Sequence, residues 1–183
     1  MFKFSELKEE HIKTEEIFDG NILHVIKDTV KLPNGNEATR EVIRHIGAVC
    51  VIPVTDDNEV IIERQYRYPI DEVISEIPAG KLDTPEEDWL LAAQRELREE
   101  TGITADDWRE LGAFYPAAAY SDEKIIMYLA RGLHYGKQDL DDDEFLNVKK
   151  IPVADLVKDV MDGKIADSKT QVAILKVARV LGI

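Results

Sequence analysis

The sequence is short of cysteine, of positive charge and of long apolar runs. Cys50 is the only cysteine among 183 residues, which excludes an intramolecular disulfide and is typical of a reducing compartment. Lys and Arg number 23 against 37 Asp and Glu, and the net charge of −14 is unfavourable for binding nucleic-acid phosphates or anionic membranes. No run approaches the roughly 18 apolar residues of a membrane span, and residues 1–11 lack the apolar segment of a signal peptide. We therefore expect a cytoplasmic protein that binds neither nucleic acid nor membrane.

Hydrophobic residues make up 44% of the chain, which is enough for a globular domain with a real core. Apolar runs separated by turn signals predict β-strands in the first half and at two later positions. Pro33-Asn34-Gly35-Asn36 is the strongest of these signals and predicts a hairpin turn. The predicted strands cover residues 15–28 (as two short runs), 30–45 (as a hairpin), 47–54, 59–66, 124–130 and 145–151.

The clearest helix prediction covers residues 84–101. Thr84 is a suitable N-cap, Glu87 stands at the capping-box position, and Gly102 supplies a C-terminal stop. One face of this helix is formed, at helical spacing, by Leu90, Ala93, Leu97 and Thr101.

Two further helices are predicted near the end of the chain, at residues 153–161 and at residues 169–181 with Ser168 as N-cap. Strands on both sides of one long helix, followed by closing helices, predict an α/β layered domain. We assign this domain to residues 46–183 and expect residues 1–45 to form a separate β region.

Three glutamates, Glu96, Glu99 and Glu100, follow one another at i, i+3 and i+4, which places their carboxylates on one face of the predicted helix. Like charges at such spacing repel, and Arg95 can relieve part of the repulsion by pairing with Glu99 four residues on. Clustered carboxylates are ligands that Mg²⁺ prefers. The same pattern also occurs on solvated helices with many salt bridges, so the spacing alone leaves both interpretations open.

The wider frame of this cluster resembles the Nudix box, the signature of the Nudix hydrolases. The box reads Gly, five residues, Glu, seven residues, then Arg-Glu-apolar-any-Glu-Glu-any-Gly-apolar. The matching positions here are Gly80, Glu87, Arg95, Glu96, Leu97, Glu99, Glu100, Gly102 and Ile103. One departure is that six residues, not five, separate Gly80 from Glu87, which we interpret as an insertion at residues 83–86 that leaves the helix register intact.

The resemblance implies a Nudix-type α/β/α sandwich with an additional N-terminal β layer, and a hydrolase that cleaves a diphosphate linked to another group. It implies a Mg²⁺ cofactor, with Mn²⁺ as an alternative. In the family the later glutamates of the box bind the metal, which corresponds here to Glu96, Glu99 and Glu100, and Glu99 is also counted among the catalytic residues. The backbone carbonyl before the box glycine, that of Ala79, is a further implied ligand.

Residues 62–82 (IERQYRYPIDEVISEIPAGKL) are similar to the ADP-ribose pyrophosphatase branch, in which Arg-Gln-aromatic-Arg precedes Glu-aliphatic-Pro-Ala-Gly. By that similarity Arg67 contacts the substrate diphosphate or terminal ribose, Glu76 lies at the pocket wall, and Arg44 is a second charged contact. Arginine binds phosphate through paired hydrogen bonds, which suits an anion pocket beside acidic metal ligands. Without the resemblance, Arg67 and Arg44 would be interpreted as surface or edge residues.

The branch also places a carboxylate that acts as general base, or joins the metal shell, in a loop late in the chain. Here that loop is the acidic run of residues 139–145, where Glu144 and Asp142 are the matching residues. A separate base is chemically sensible because the box glutamates are committed to metal. We favour Glu144, whose longer side chain reaches further, and the alternative is a solvated acidic loop.

One stretch departs from the branch: Ala118 replaces its marker proline, and Ala119 replaces the glycine that follows. We expect hydrolysis of ADP-ribose or a related nucleoside diphosphate sugar to AMP, or another nucleoside monophosphate, and a sugar phosphate. The branch also implies a homodimer that exchanges its N-terminal strands. The alternatives are hydrolysis of another nucleoside diphosphate derivative, such as a dinucleotide polyphosphate, and a Nudix fold kept as a non-catalytic ligand-binding module.

Overall fold

The computed structural model describes residue 3, residues 6–140 and residues 144–183. These residues form two compact units. The first unit contains the described residues up to Ile46 together with Ala117–Lys124, and the second contains the described residues of Gly47–Pro116 and Ile125–Ile183. No helix in these ranges is long and apolar enough to cross a membrane.

The first unit is built on one antiparallel sheet. Its strands, which lie side by side in chain order, are β1 (Glu10–Asp19), β2 (His24–Lys31) and β3 (Glu37–Arg44). A tight turn joins β2 to β3, where Leu32 N–H donates to the Asn36 carbonyl at 2.8 Å and Gly35 takes a left-handed φ of +88°. The predicted hairpin is therefore confirmed.

The described residues of the second unit form two further sheets and three α-helices, with a short 3-10 helix at Tyr68–Ile70. Its strands are β4 (Ala48–Pro53), β5 (Glu59–Arg67), β6 (Glu72–Glu76), β7 (Ala79–Lys81), β8 (Ile103–Phe114), β9 (Ile125–Tyr135) and β10 (Leu146–Pro152). Its α-helices are α1 (Trp89–Thr101), α2 (Val153–Met161) and α3 (Ser168–Leu181). The four-stranded sheet has the order β7-β4-β9-β8, and the three-stranded sheet has the order β10-β5-β6.

Strand β4 lies at the centre of the second unit, and all six of its residues are buried. Cys50 and Ile52 belong to one apolar core with Ile174 and neighbouring residues of α3. Val49 and Val51 alternate with them and therefore point to the opposite face, and α1 also contacts β4. Helices cover both faces of the sheet, so the predicted α/β/α sandwich is confirmed.

Helix α1 begins later than the sequence predicts. Its N-cap is Asp88, whose Oδ1 accepts hydrogen bonds from the backbone N–H groups two and three residues on, at 2.9 and 3.0 Å. The predicted N-cap, Thr84, instead begins a turn in which Glu87 N–H donates to the Thr84 carbonyl at 3.2 Å. The predicted capping box is wrong, because the Glu87 side chain pairs with Arg95. This turn overlaps the segment to which we assign the extra residue of the Nudix box.

Two other expectations differ from the structure. The N-cap of α3 is Asp167, not Ser168, since an Asp167 carboxylate oxygen accepts from Thr170 N–H at 2.9 Å. Strands β6 and β8 lie outside the predicted strand ranges. Each forms an edge of its sheet, and β8 carries exposed polar residues along much of its length. Gly102, the predicted stop of α1, does end the helix in a left-handed conformation with φ +71°.

Candidate active site

The candidate site begins where β7 lies against the second half of α1. β7 pairs with β4, with Ala79 opposite Cys50. Ala79 N–H donates to Glu100 Oε2 at 2.8 Å. The absence of a side chain at Gly80 lets Glu96 approach the strand, because a Cβ there would overlap the Glu96 carboxylate. Two glutamates of the predicted cluster therefore converge on one short strand.

Arg95 holds the acidic cluster together. Its Nη1 donates to Glu96 Oε1 at 2.7 Å and to Glu99 Oε2 at 3.3 Å, so the predicted pairing with Glu99 is confirmed. Its Nε donates to Glu87 Oε1 at 3.2 Å, and its Nη2 donates to the Lys81 carbonyl at 3.2 Å. These contacts offset the repulsion among the glutamates and orient the Glu96 carboxylate.

The segment after β9 is attached to the C-terminal half of α1. Arg98 donates to Glu99 Oε1 at 2.8 Å and to Asp139 Oδ2 at 3.2 Å. Asp139 N–H donates to the Glu99 carbonyl at 3.0 Å, and Gln138 Nε2 donates to the Glu100 carbonyl at 2.6 Å. The acidic run of residues 139–145 therefore starts from a fixed point beside the candidate metal ligands.

Burial controls the charge state of two glutamates in the cluster. Glu100 is 4% exposed, and burial, followed by the charges of Glu63 and Glu96, raises the pKa of Glu100 well above its usual range. Burial also raises the pKa of Glu96 to about 6, against the opposing effect of Arg95. Carboxyl groups in such surroundings either keep a proton or need a nearby cation.

The chemistry of this donor set fits a divalent cation. Carboxylate and carbonyl oxygens are hard ligands that suit Mg²⁺ or Mn²⁺, and a cation would supply the positive charge that the buried carboxyls lack. Within residues 6–140 and 144–183, no three acidic, histidine or cysteine side chains already converge as a metal site. Arg95 engages oxygens of Glu96 and Glu99, so a cation would compete with Arg95 for them.

Arg67 and Glu76, two of the predicted substrate-binding residues, meet across β5 and β6. Glu76 is 1% exposed and accepts from Arg67 Nε at 2.6 Å and from Arg67 Nη2 at 2.9 Å. Lys169 of α3 also pairs with Glu76. Burial raises the pKa of Glu76, but the hydrogen bonds and charges of Arg67 and Lys169 outweigh burial and bring the pKa below its usual value. Glu76 is thus an ionised, buried anchor for Arg67, and their contact with substrate stays a prediction.

Glu144, the favoured general base, lies half-buried two residues before β10. It lines a cavity of about 340 Å³ together with Arg64, Tyr66 and neighbouring residues. Burial and the charges of Arg95 and Glu99 have the larger effects on the pKa of Glu96, and the negative charge of Glu144 also helps to raise it. Glu144 therefore influences the acidic cluster electrostatically. Asp142, the other candidate, lies outside the described residues.

Arg44 ends β3 of the first unit, and half of its side chain is exposed. Its Nη1 donates to Asp122 Oδ2 at 2.9 Å, and its Nη2 lies 3.5 Å from Asp28 Oδ2. Asp122 Oδ1 also accepts from His45 N–H at 2.8 Å. Two carboxylates therefore orient Arg44, whose role in substrate binding stays a prediction.

Sequence reasoning missed two buried charged residues in this region. Glu63 is 1% exposed and directly follows the apolar run of residues 60–62. A charged residue next to such a run could have indicated a buried acid. Lys169 has a side chain that is 12% exposed and pairs with Glu76, but no spacing in the sequence connects two residues so far apart.

Comparison with known proteins agrees with this geometry. A model described as the NUDIX domain matches residues 44–171, and one described as the nucleoside diphosphate sugar hydrolase N-terminal domain matches residues 9–43. The chain is 41% identical, over 92% of its length and 91% of the relative, to an ADP-ribose pyrophosphatase of Bacillus subtilis (strain 168). It is 40% identical, over 91% of both chains, to a methanol dehydrogenase activator of Bacillus methanolicus.

A solved structure is also similar. The crystal structure of an ADP compounds hydrolase matches with a TM-score of 0.85 and 25% identity, over 96% of this chain and 95% of that one. Nudix hydrolases generally need a divalent metal, in keeping with the oxygen-rich cluster described above. The NUDIX domain match spans well over half of the chain, and this protein therefore belongs to the Nudix hydrolase family.

Proposed function

We propose that the protein hydrolyses the diphosphate bond of ADP-ribose or a related nucleoside diphosphate sugar, releasing AMP, or another nucleoside monophosphate, and a sugar phosphate. The observation that carries this proposal is that two glutamates of the Nudix box meet β7, Glu100 at Ala79 N–H and Glu96 beside Gly80. The similarity to the ADP-ribose pyrophosphatase of Bacillus subtilis supports the substrate class, as does the N-terminal match over residues 9–43.

Glu96, Glu99, Glu100 and the Ala79 carbonyl would hold the divalent cation, for which we propose Mg²⁺, with Mn²⁺ as an alternative. When bound, the ion would polarise phosphoryl oxygens and lower the pKa of a bound water. Arg95 orients Glu96 and carries the counter-charge of the cluster. Ala79 N–H fixes one oxygen of Glu100 through its 2.8 Å hydrogen bond.

Glu144 would take the proton from the attacking water. Its position before β10 and its electrostatic influence on Glu96 support this role, and a carboxylate that does not bind metal can act as a base. Asp142 is the second candidate for the base. Glu99, which Arg95 and Arg98 both contact, is assigned here to the metal and to catalysis.

The substrate diphosphate would bind Arg67. Arg67 uses Nε and Nη2 to hold Glu76, and no hydrogen bond joins its Nη1 to any residue that the structure describes, which suits a phosphate oxygen. Arg44 of the first unit is proposed as a second charged contact, and Glu76 as the residue that keeps Arg67 in place.

A homodimer and a cytoplasmic location form part of the same proposal, with residues 1–45 as the dimerisation region and substrate wall and residues 46–183 as the hydrolase domain. Strand β1 is exposed along its whole length. Its apolar residues Ile12, Ile17 and Phe18 are 46%, 52% and 55% exposed. An exposed edge strand with apolar side chains is a ready surface for a second copy.

Incubation with Mg²⁺ and a substrate panel, scored by AMP or other nucleoside monophosphate release, tests the proposal. We expect cleavage of ADP-ribose or another sugar nucleotide, and loss of cleavage when a chelator removes the metal. Because Ala118 and Ala119 replace the marker residues of the branch, a preference for dinucleotide polyphosphates or a different sugar nucleotide is the second candidate. No turnover on any substrate would contradict the proposal and favour a ligand-binding module.

A further inference from the structure

Glu63 is a buried acid for which the proposed mechanism has no use. It lies in the middle strand of the β10-β5-β6 sheet, opposite Val148 on one side and Glu76 on the other. It is 1% exposed. A glutamate is almost never buried so completely unless it is paired, so we expect a partner for this carboxyl.

The described side chains do not supply that partner. Residues directly opposite in an antiparallel pair point to the same face and lie close together, so Glu63 and Glu76 are neighbouring acids. Arg67 and Lys169 both hydrogen-bond to Glu76. Among the described residues, Glu63 Oε2 is buried without any hydrogen-bond partner.

Strand register and chain continuity bring this carboxyl towards the Nudix cluster. Glu63 lies opposite Glu76, and three residues after Glu76 the chain reaches Ala79, whose N–H donates to Glu100 Oε2 at 2.8 Å. The charge of Glu63 also acts on Glu100, in agreement with this closeness. A buried oxygen without a hydrogen-bond partner among the described residues thus lies near oxygens that we propose bind the cation.

We propose that Glu63 is a further acidic residue of the divalent-cation site, holding the cation from β5 while Glu96 and Glu100 hold it from α1. This inference rests on the proposed function, because it adds a residue to the same metal site. It differs from the ligand set implied by the Nudix box, to which Glu63 does not belong. A cation held at this position would satisfy Glu63 Oε2, which no described protein group does.

Mn²⁺ binding to the full chain without substrate, followed by electron paramagnetic resonance, tests the inference. Glu63→Gln keeps the shape of the side chain and removes its charge. We expect it to weaken the tightest Mn²⁺ site at least about tenfold. Glu59→Gln, the same change on the same strand but outside the cluster, should leave the affinity unchanged.

Melting temperature is the second measurement. Without metal, Glu63→Gln should melt at or above the wild-type temperature, because it removes a buried carboxyl that lacks a partner. With saturating Mg²⁺, its melting temperature should rise by less than that of the wild type. Glu63→Leu should behave in the same way, and it provides a second variant if the amide is not accommodated.

A wild-type Mn²⁺ affinity in Glu63→Gln would overturn the inference. Glutamine has the shape of a protonated glutamate, so that result would mean that Glu63 stays neutral and does not bind the ion. Glu100→Gln separates this failure from a failure of the proposed function. If Glu100→Gln loses Mn²⁺ while Glu63→Gln does not, only the role of Glu63 is refuted. If the wild-type protein binds no Mn²⁺ and cleaves no substrate, both proposals fail.

Discussion

Replacing Gly80 with alanine tests whether the contact between β7 and Glu96 controls activity. A Cβ at Gly80 would overlap the Glu96 carboxylate, and its three nearest contacts are all atoms of that carboxylate. The backbone of Gly80 is not in the left-handed region, so alanine adds no backbone strain. Because the clash involves the end of a flexible side chain, we expect the free energy of unfolding to fall by only about 1 kcal/mol.

Activity should change far more than stability. The Glu96 carboxylate would have to move away from β7, and the cation site would lose the position of one ligand. A displacement of about 1 Å in a reacting group costs on the order of 100-fold in rate, so we expect kcat/KM for nucleotide-sugar cleavage to fall by about that factor. The change in activity is measured as cleavage at saturating Mg²⁺, the change in the cation site as Mn²⁺ affinity, and the change in stability by thermal unfolding.

Gly163→Ala is the matched control. Gly163 has φ +73°, and no described atom lies within 4 Å of a Cβ built there. Alanine should therefore cost about 1 kcal/mol of stability through backbone strain alone and leave the kinetics unchanged. Wild-type kcat/KM and Mn²⁺ affinity in Gly80→Ala would refute the reasoning, because Glu96 could then move without consequence.

Three further changes have distinct expected outcomes. Glu100→Gln should lower turnover at least about 100-fold while the fold is kept, since the amide oxygen can still accept from Ala79 N–H; near-normal turnover in a steady-state assay would contradict a ligand role. Arg67→Ala should raise KM, and it should lower the free energy of unfolding by about 1–2 kcal/mol because the buried Glu76 loses one of its cationic partners. An unchanged KM would remove Arg67 from the pocket. Burial raises the pKa of Cys50 to about 12, so at about pH 8 a thiol reagent should modify the folded protein only as fast as it unfolds; rapid modification in a stopped-flow trace would contradict this burial.

Patterns with a local cause predicted the structure well. Pro33-Asn34-Gly35-Asn36 predicted the turn between β2 and β3, because few residues other than glycine adopt the conformation found at Gly35. The apolar run of residues 47–54 predicted the buried strand β4. Helix α2 has the predicted bounds, Val153–Met161. The Nudix box predicted that Glu96 and Glu100 lie on one side of the helix, but it does not specify which residues lie opposite them.

The features that were missed depend on partners distant in the chain or on competition between neighbours. Thr84 and Asp88 are both suitable N-caps. In the structure Asp88 caps the helix, and Arg95 donates a hydrogen bond to the Glu87 side chain. The meeting of Glu63 with Glu76 depends on the register between β5 and β6, which no short motif specifies.

The attachment of residues 138 and 139 to α1 has a consequence for how this protein can diversify. Glu144 follows Asp139 by only five residues, and the anchoring point of that short span is the helix that carries Glu96, Glu99 and Glu100. The proposed base therefore follows closely on a point of the chain that is hydrogen-bonded to the helix of the proposed cation ligands. We expect substitutions at the edges of the sheets to change which substrate is bound without moving this point of attachment.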